Sequence, residues 1–219
     1  MTDELLATQR AFSADDFRSR FQNASASVPL HQSADAGDHR LNSDFQIPDE
    51  DTLKKAAVLM GVIDRPEGAT VLMTRRADHL ATHRSQVAFP GGKIDLEDPS
   101  PEATALRETW EEVGIGEANI EVLGRSADYI SGSGFRIKPV LAIVRPEFEL
   151  VINEDEVAEA FEVPLAHVMN RESYTTDSRV WGGKARHFYR IPYDPLPSHN
   201  MIWGVTAGIM RSVLDRLYP

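Results

Sequence analysis

The stretch that most constrains the fold of this chain lies between Ser100 and Gly114, where capping, apolar and acidic residues predict a helix with two different faces. Ser100 suits the cap, because its hydroxyl accepts a hydrogen bond from the free N–H groups of the first turn, and Pro101 suits the first helical position. Gly114 suits the left-handed residue that ends a helix. We therefore predict a helix over residues 101–113.

The two faces of this helix differ in chemistry. The face predicted to pack on the core carries apolar residues at helical spacing, namely Ala103, Leu106, Trp110 and Val113. On another face Glu108, Glu111 and Glu112 stand at i, i+3 and i+4, where like charges repel by about 0.2–0.5 kcal/mol per pair. Arg107 offsets part of this repulsion. A divalent cation such as Mg²⁺ or Mn²⁺ would turn it into coordination, and a solvated acidic surface is the alternative.

A proline-glycine turn precedes the helix. Pro90 fixes the entry to the turn, and Gly91-Gly92 can bring bare backbone close to a ligand. The whole stretch FPGGKIDLEDPSPEATALRETWEEVGI, residues 89–115, resembles the box motif of the Nudix hydrolase family. The residues at the fixed places of that motif are Gly92, Arg107, Glu108, Thr109, Glu111, Glu112, Gly114 and Ile115.

The chain departs from the motif at three points. Asp98 stands where the first glutamate is expected, and eight residues instead of seven separate it from Arg107. Thr109 replaces an apolar residue. The extra residue lies in the loop before the helix, so the spacing of the glutamates on the helix is unchanged.

A second motif leads into the glycine turn and resembles that of the coenzyme A diphosphatase branch of the family, which shares the inserted residue and the aspartate. Its matching residues are Leu72, Met73, Thr74, Arg76, Ala77, Leu80, His83, Gln86, Phe89, Pro90, Gly91 and Gly92. Ser85 replaces the usual glycine. The resemblance implies that the substrate contacts include Arg76, His83, Gln86 and Phe89.

The same segment concentrates cations that suit the diphosphate and 3′-phosphate of coenzyme A. They are Arg75, Arg76, His79, His83, Arg84 and Lys93. Arginine is suited to bidentate phosphate contacts. Solvated loop charges are the alternative interpretation for each of them.

The resemblance also implies roles around the metal. Mg²⁺ or Mn²⁺ would be held by Glu108, Glu111 and Glu112 with the Gly92 carbonyl, while Arg107 orients the glutamates and Asp98 caps or orients the helix. The general base is open among Glu111, Glu154 and Glu156, and a hydrophilic turn is the alternative for the last two.

The family resemblance implies an α/β fold with a mixed sheet between helices, in an α/β/α arrangement. We predict a Nudix domain over residues 51–219 and an N-terminal arm over residues 1–50, with a short helix capped by Ser13 followed by an extended or partly disordered segment. Local patterns predict two hairpins, two further strands and a closing helix, at 56–76, 178–194, 118–130, 135–146 and 202–219.

Composition limits the partners and the compartment. The formal net charge of −11 argues against nucleic acid and anionic membranes as partners, but a small anionic substrate remains compatible with a local metal and local cations. The chain has no cysteine, which fits a reducing compartment, and no apolar run long enough to cross a bilayer. We expect a cytoplasmic protein, and the sequence leaves a homodimer open.

The activity implied by the resemblance is metal-dependent hydrolysis of the diphosphate of coenzyme A or its derivatives. The products would be 4′-phosphopantetheine and adenosine 3′,5′-bisphosphate. Two alternatives stay open: hydrolysis of another nucleoside diphosphate derivative such as ADP-ribose or a dinucleotide, and a non-catalytic module that binds a nucleotide.

Overall fold

The computed structural model describes residues 11–26, 28–79, 85–193 and 201–219. Four α-helices cover α1 (Ala14–Ser25), α2 (Pro101–Val113), α3 (Leu165–Val168) and α4 (Gly204–Leu217) within these residues. The strands of the larger sheet are β1 (Ala36–Gly37), β2 (Lys54–Ile63), β3 (Thr70–Arg76), β4 (Val87–Ala88), β5 (Gly91–Lys93), β6 (Ile120–Arg125), β7 (Tyr129–Ile130), β8 (Phe135–Val144) and β9 (Val157–Pro164). A smaller sheet contains β10 (Thr175–Trp181), β11 (Lys184–Ile191) and β12 (Ile202–Trp203).

The centre of the larger sheet is a parallel pair, β2 and β8, aligned without interruption from Lys54↔Phe135 to Ile63↔Val144. On the outer side of β8 lie β7 and β6, both antiparallel to it, and β7 is followed by β1. On the other side β2 pairs with β5 and β3, and β3 pairs with β4 and β9. The sheet is therefore mixed.

Alternate residues of the central strands enter two separate cores. One core contains Leu59, Leu72 and Val140 and packs against α2. The other contains Met60, Met73 and Leu141 and packs against α1 and α4. This period of two is the one that a strand buried on both faces requires. Helices cover both faces of the sheet, as the predicted α/β/α arrangement requires.

The N-terminal arm is packed on the rest of the chain. Ser13 caps α1 by accepting the Asp16 N–H at 3.1 Å, and Phe17 and Phe21 of α1 are buried in the core that α4 covers. Further along, β1 adds a parallel strand to β7. Arg136 holds this segment electrostatically, because it contacts carboxylates of the arm at Asp35 and Glu50. The division of the chain at residue 50 stays a prediction.

Most predicted elements have structural counterparts. The first hairpin, the hairpin around Gly182-Gly183 and the closing helix are confirmed. The strand predicted over residues 118–130 is divided into β6 and β7, with a register shift near Gly124, where a side chain would meet the Phe21 ring at 2.9 Å. No helix in the described residues is long and apolar enough to span a membrane.

Candidate active site

The helix that carries the acidic residues begins and ends as its sequence predicts. Ser100 accepts the Ala103 N–H at 3.2 Å, and Pro101 occupies the first turn. At the other end Gly114 adopts φ 74°, and its N–H donates to the Trp110 carbonyl at 3.0 Å. These caps fix the length of α2 and therefore the position of its glutamates.

The predicted core face of α2 was partly wrong. Ala105, Thr109 and Val113, spaced i, i+4 and i+8, are fully buried against the sheet, whereas Trp110 is 60% exposed. The polar Thr109 is tolerated there because its hydroxyl donates to the Ala105 carbonyl at 2.7 Å. A threonine gives no apolar signal, so the apolar pattern points to Trp110, one position after the buried Thr109.

Arg107 holds the acidic side of the site together. Its Nε and Nη2 donate to the two carboxylate oxygens of Asp98 at 3.1 and 3.0 Å, while its Nη1 donates to Glu108 at 3.0 Å and Glu111 at 2.9 Å. These hydrogen bonds hold the pKa of Asp98 well below its usual range. Asp98 also accepts the Thr104 hydroxyl at 2.8 Å, which ties the loop to the first turns of α2.

The Glu108 carboxylate is pressed against the backbone of Gly92. A methyl group at Gly92 would come within 2.4–2.6 Å of all three carboxyl atoms of Glu108. Gly92 itself is held by its pairing with Ala57 of β2. The absent side chain therefore creates the space in which the Glu108 carboxylate lies, and burial raises the pKa of Glu108.

Glu112 is the most buried acid of the site, with 3% of its surface exposed. Burial raises its pKa to about 8, and the charges of Glu108 and Glu156 add to the rise. Arg76 opposes it, with Nη1 at 4.0 Å from Glu112 Oε1. The other oxygen, Oε2, is buried and has no hydrogen-bond partner among the described residues. Burial of an unpaired acceptor costs folding free energy, so a ligand is expected to occupy it.

The loop after β8 brings a fourth carboxylate to the site. The Val151 and Asn153 N–H groups donate to the carbonyls of Val113 and Glu112, which attaches this loop to the end of α2. Glu156 is half-buried and close enough to influence the pKa of both Glu108 and Glu112. Glu154 is exposed. The geometry thus favours Glu156 over Glu154 as a participating acid.

The segment predicted to bind coenzyme A runs through β3, β4 and β5 to the glycine turn. The Arg76 N–H donates to the Gln86 carbonyl, and the Ser85 N–H donates to the Arg76 carbonyl. Ser85 adopts φ 58°, which is the conformation that glycine would take without strain. His83, with Arg84, lies outside the described residues.

The other residues predicted to contact coenzyme A lie in different environments: Phe89 is buried, Arg75 and His79 contact other residues of the chain, and Lys93 is exposed. Phe89 is 3% exposed within the core that α1 and α4 cover, so packing accounts for its ring. Arg75 pairs with Asp78, and His79 Nε2 contacts the Asp155 carbonyl at 3.0 Å. Lys93 is exposed at the end of β5. Arg76, by contrast, lies against an acid of α2, Glu112.

The donors on this helix fit a hard divalent cation. Carboxylate and carbonyl oxygens are the ligands that Mg²⁺ and Mn²⁺ prefer. In the described part of the chain Oε2 of Glu112 is a buried oxygen without a hydrogen-bond partner, so it is available to such an ion. Among the described residues no three acidic or histidine side chains converge as a ready metal site. Arg107 Nη1 donates to one oxygen of Glu108 and one oxygen of Glu111, so the second oxygen of each carboxylate remains for an ion.

Two solved structures resemble parts of this chain. A Nudix hydrolase from M. smegmatis, RenU, is 24% identical with a TM-score of 0.44, covering 55% of this chain and 80% of that one. A Nudix hydrolase from Alicyclobacillus acidocaldarius is 18% identical with a TM-score of 0.45, covering 78% and 93%.

The family follows from the sequence comparisons. The NUDIX domain matches residues 53–181. A relative named "Uncharacterized Nudix hydrolase NudL", from Yersinia pestis (strain Pestoides F), is 40% identical over 166 residues, which is 76% of this chain and 81% of that protein. The NudL of Yersinia pseudotuberculosis serotype O:1b matches to the same extent. The chain belongs to the Nudix family and is a hydrolase of diphosphate bonds in nucleoside diphosphate derivatives.

One contact of the site was missed from the sequence. The family resemblance assigns Arg76 to the substrate, whereas in the structure Arg76 lies against Glu112, 36 positions further along the chain. Neither residue carries a local pattern that predicts the other. The contact joins the end of β3 to the last turn of α2 and therefore depends on tertiary packing.

Proposed function

We propose that this chain hydrolyses the diphosphate of coenzyme A or a derivative to 4′-phosphopantetheine and adenosine 3′,5′-bisphosphate. The observation that carries the proposal is the continuity of the segment 72–92 with the acidic helix. The same segment supplies Gly92 beneath Glu108 and Arg76 beside Glu112. A substrate held by this segment would therefore have its diphosphate next to the acids of α2.

The residues of the chain have separate tasks in this proposal. Glu108, Glu111 and Glu112, with the Gly92 carbonyl, would hold Mg²⁺ or Mn²⁺, which neutralises phosphate oxygens and acidifies a bound water. Arg107, fixed by Asp98, orients Glu108 and Glu111. Arg76 offers a guanidinium at the buried end of the acidic cluster, where it balances Glu112 or meets a phosphate oxygen.

The proton acceptor is assigned to an acid at the edge of the cluster. Glu156 is half-buried beside Glu108 and Glu112, and Glu111 is exposed on α2. A carboxylate within reach of the attacking water can act as its general base. Glu156→Gln separates the two: if Glu156 is the base, this variant loses turnover while it retains metal binding, because Glu156 is not among the assigned metal ligands.

The first experiment measures turnover of coenzyme A, dephospho-coenzyme A and ADP-ribose with Mg²⁺ or Mn²⁺, and identifies the products by mass. Coenzyme A is expected to be cleaved much faster than the other two. Faster cleavage of ADP-ribose would retain diphosphate hydrolysis but contradict the coenzyme A assignment. Binding without turnover of any of the three would favour a nucleotide-binding module.

Variants then test the residues. Glu111→Gln and Glu112→Gln are expected to fold normally and to lose most metal-dependent turnover. Glu154→Gln is the matched control, since Glu154 is an exposed acid on the neighbouring loop. Full activity of Glu112→Gln would contradict its assignment as a metal ligand.

A further inference from the structure

The hairpin of β10 and β11 presents a free strand edge. All seven residues of β10 are exposed, and among the described residues no strand pairs with the side of β10 that faces away from β11. At its tip Val180 and Trp181 are each 78% exposed. An exposed strand edge with large apolar side chains is a template for pairing with another strand.

The backbone groups on that edge can be assigned from the turn. Trp181 and Lys184 flank the two-residue turn Gly182-Gly183, in which both glycines have positive φ, as a tight hairpin requires. Flanking residues of such a turn bond each other, and bonding direction alternates along a strand. Thr176, Ser178 and Val180 therefore direct their N–H and C=O groups outward. In agreement, the Ser178 N–H donates to the Asp177 carboxylate at 2.7 Å instead of to β11.

We propose that this edge pairs with β10 of a second copy of the chain, antiparallel and centred on Ser178, to form a two-fold symmetric dimer with a continuous sheet. In this register Ser178 faces Ser178, and Thr176 faces Val180 of the second copy. The three outward residues of each strand then meet each other, so their free backbone groups exchange hydrogen bonds. Such an interface uses the same surface on both copies and closes at two.

Charge selects this register over its neighbours. When the pairing is centred on Ser178, Asp177 of each copy faces Arg179 of the other. The two-fold axis therefore gives two such pairs, both on the same face of the sheet. Moving the centre by one residue would set Asp177 opposite Asp177, or Arg179 opposite Arg179. Opposite charges across two strands stabilise the pair by roughly 0.2–1 kcal/mol, and like charges destabilise it.

The contacts that these two side chains make within one chain are compatible with the dimer. The Asp177 carboxylate lies 3.8 Å from Arg190, at the limit of an ion pair, and the Arg179 guanidinium lies over the Trp203 ring at 4.7 Å. On pairing, the Ser178 N–H donates to the backbone of the second copy instead of to Asp177. The Asp177 carboxylate is then free to pair with Arg179 of the second copy. The exposed Trp181 then covers Thr175 of the second copy.

Cysteine cross-linking tests the register directly, because the natural chain has no cysteine. The Cα atoms of a directly facing, hydrogen-bonded pair are about 5.5 Å apart, within the range that a disulfide spans. We expect Ser178→Cys to oxidise to a disulfide-linked dimer at low micromolar concentration. Thr176→Cys is the matched control, since the two Thr176 residues would lie about 13 Å apart, and it should stay unlinked.

A mixture of two cysteine variants tests the same register by a cross-link that should form. Thr176→Cys and Val180→Cys proteins, oxidised together, are expected to form a heterodimer, because these positions face each other across the two-fold axis. Equal cross-linking of Ser178→Cys and Thr176→Cys would contradict the register. The absence of a cross-link in both the Ser178→Cys protein and the mixture would contradict the interface.

Charge reversal tests the side chains in solution. Asp177→Arg or Arg179→Asp alone sets like charges opposite each other twice, and each is expected to weaken the dimer about tenfold in sedimentation equilibrium. The double variant Asp177→Arg/Arg179→Asp restores opposite charges and should recover the affinity. A natural chain that stays monomeric at all concentrations would contradict the proposal, as would a double variant no tighter than the singles. These readouts do not depend on the substrate of the enzyme.

Discussion

The burial of Glu112 has two opposite consequences, one for folding and one for metal binding. Glu112 is buried among other acids, which costs folding free energy when it is ionised, and the same burial makes it a strong oxygen ligand once a cation is present. Its pKa of about 8 means that the folded chain keeps the Glu112 proton at neutral pH, whereas the unfolded chain releases it.

The first prediction concerns stability in the presence of a chelator. Between pH 4.5 and about 8 only the folded chain retains this proton, so the free energy of unfolding due to Glu112 falls as pH rises through that window. Glu112→Gln lacks this dependence. We expect urea unfolding to show that the stability of the variant relative to the natural protein increases up to pH 8, by on the order of 5 kcal/mol in total. A difference that is constant with pH would contradict the assigned pKa.

The second prediction concerns Gly92, whose missing side chain leaves room for the Glu108 carboxylate. Gly92→Ala would displace the Glu108 carboxylate, and we expect activity and metal affinity to fall about 10–100-fold, as for other changes that misplace a ligand. Gly116→Ala is the control, because its new methyl group would make an ordinary contact with Trp110 at 3.8 Å, and its φ of −76° suits alanine. Steady-state kinetics and Mn²⁺ titration measure both effects. Equal losses in the two variants would contradict a specific contact with Glu108.

At the level of single residues, the sequence predicted where a residue stands in its helix better than it predicted which distant residue that residue contacts. Ser100, Gly114 and the helical spacing of the glutamates act locally, so α2 was predictable. The exposure of Trp110 was not, because a threonine with an internal hydrogen bond replaces an apolar residue on the buried face. The contact between Arg76 and Glu112 depends on tertiary packing and has no local pattern.

Among the elements, α1 links the N-terminal arm to the core. It lies outside the matched residues 53–181, yet Phe17 is fully buried and packs in the same core as α4. The sequence predicted the helix from Ser13 and its acidic first turn. The docking of β1 on β7 was not predictable, since a strand of two residues has no detectable period.

The third prediction tests whether this arm belongs to the folding unit of the domain. Phe17→Ala is expected to lower the free energy of unfolding of the whole chain by about 3–5 kcal/mol, the usual cost of removing a buried phenylalanine. The control is Ile47→Ala, since Ile47 is half exposed on the same arm. Chemical denaturation followed by tryptophan fluorescence measures both. An unchanged main transition in Phe17→Ala would show that the arm folds apart from the domain.

For the whole molecule, binding of a cation should appear as stability. A ligand that binds only the folded state at 100 times its Kd raises the free energy of unfolding by about 2.7 kcal/mol. The fourth prediction is that Mg²⁺ or Mn²⁺ stabilises the natural protein in this way and that Glu108→Gln loses most of the effect. Glu154→Gln should keep it.

The control for this measurement addresses the overall charge. A chain with a net charge of −11 attracts any cation to its surface, so K⁺ at matched ionic strength defines the non-specific part. Stabilisation by Mg²⁺ that does not exceed the K⁺ value would contradict a specific site. Equal stabilisation of Glu108→Gln and the natural chain would place the cation elsewhere.

The long parallel pairing of β2 with β8 also affects the order of events during synthesis. Lys54 pairs with Phe135, so 81 further residues must be made before the two strands can begin to align. At about 5–20 residues per second this interval lasts roughly 4–16 s on a ribosome. During it the strand partners that β2 can acquire in the described chain are β3 and β5, and the edge of β2 that will pair with β8 stays without its partner until the second half of the chain is made.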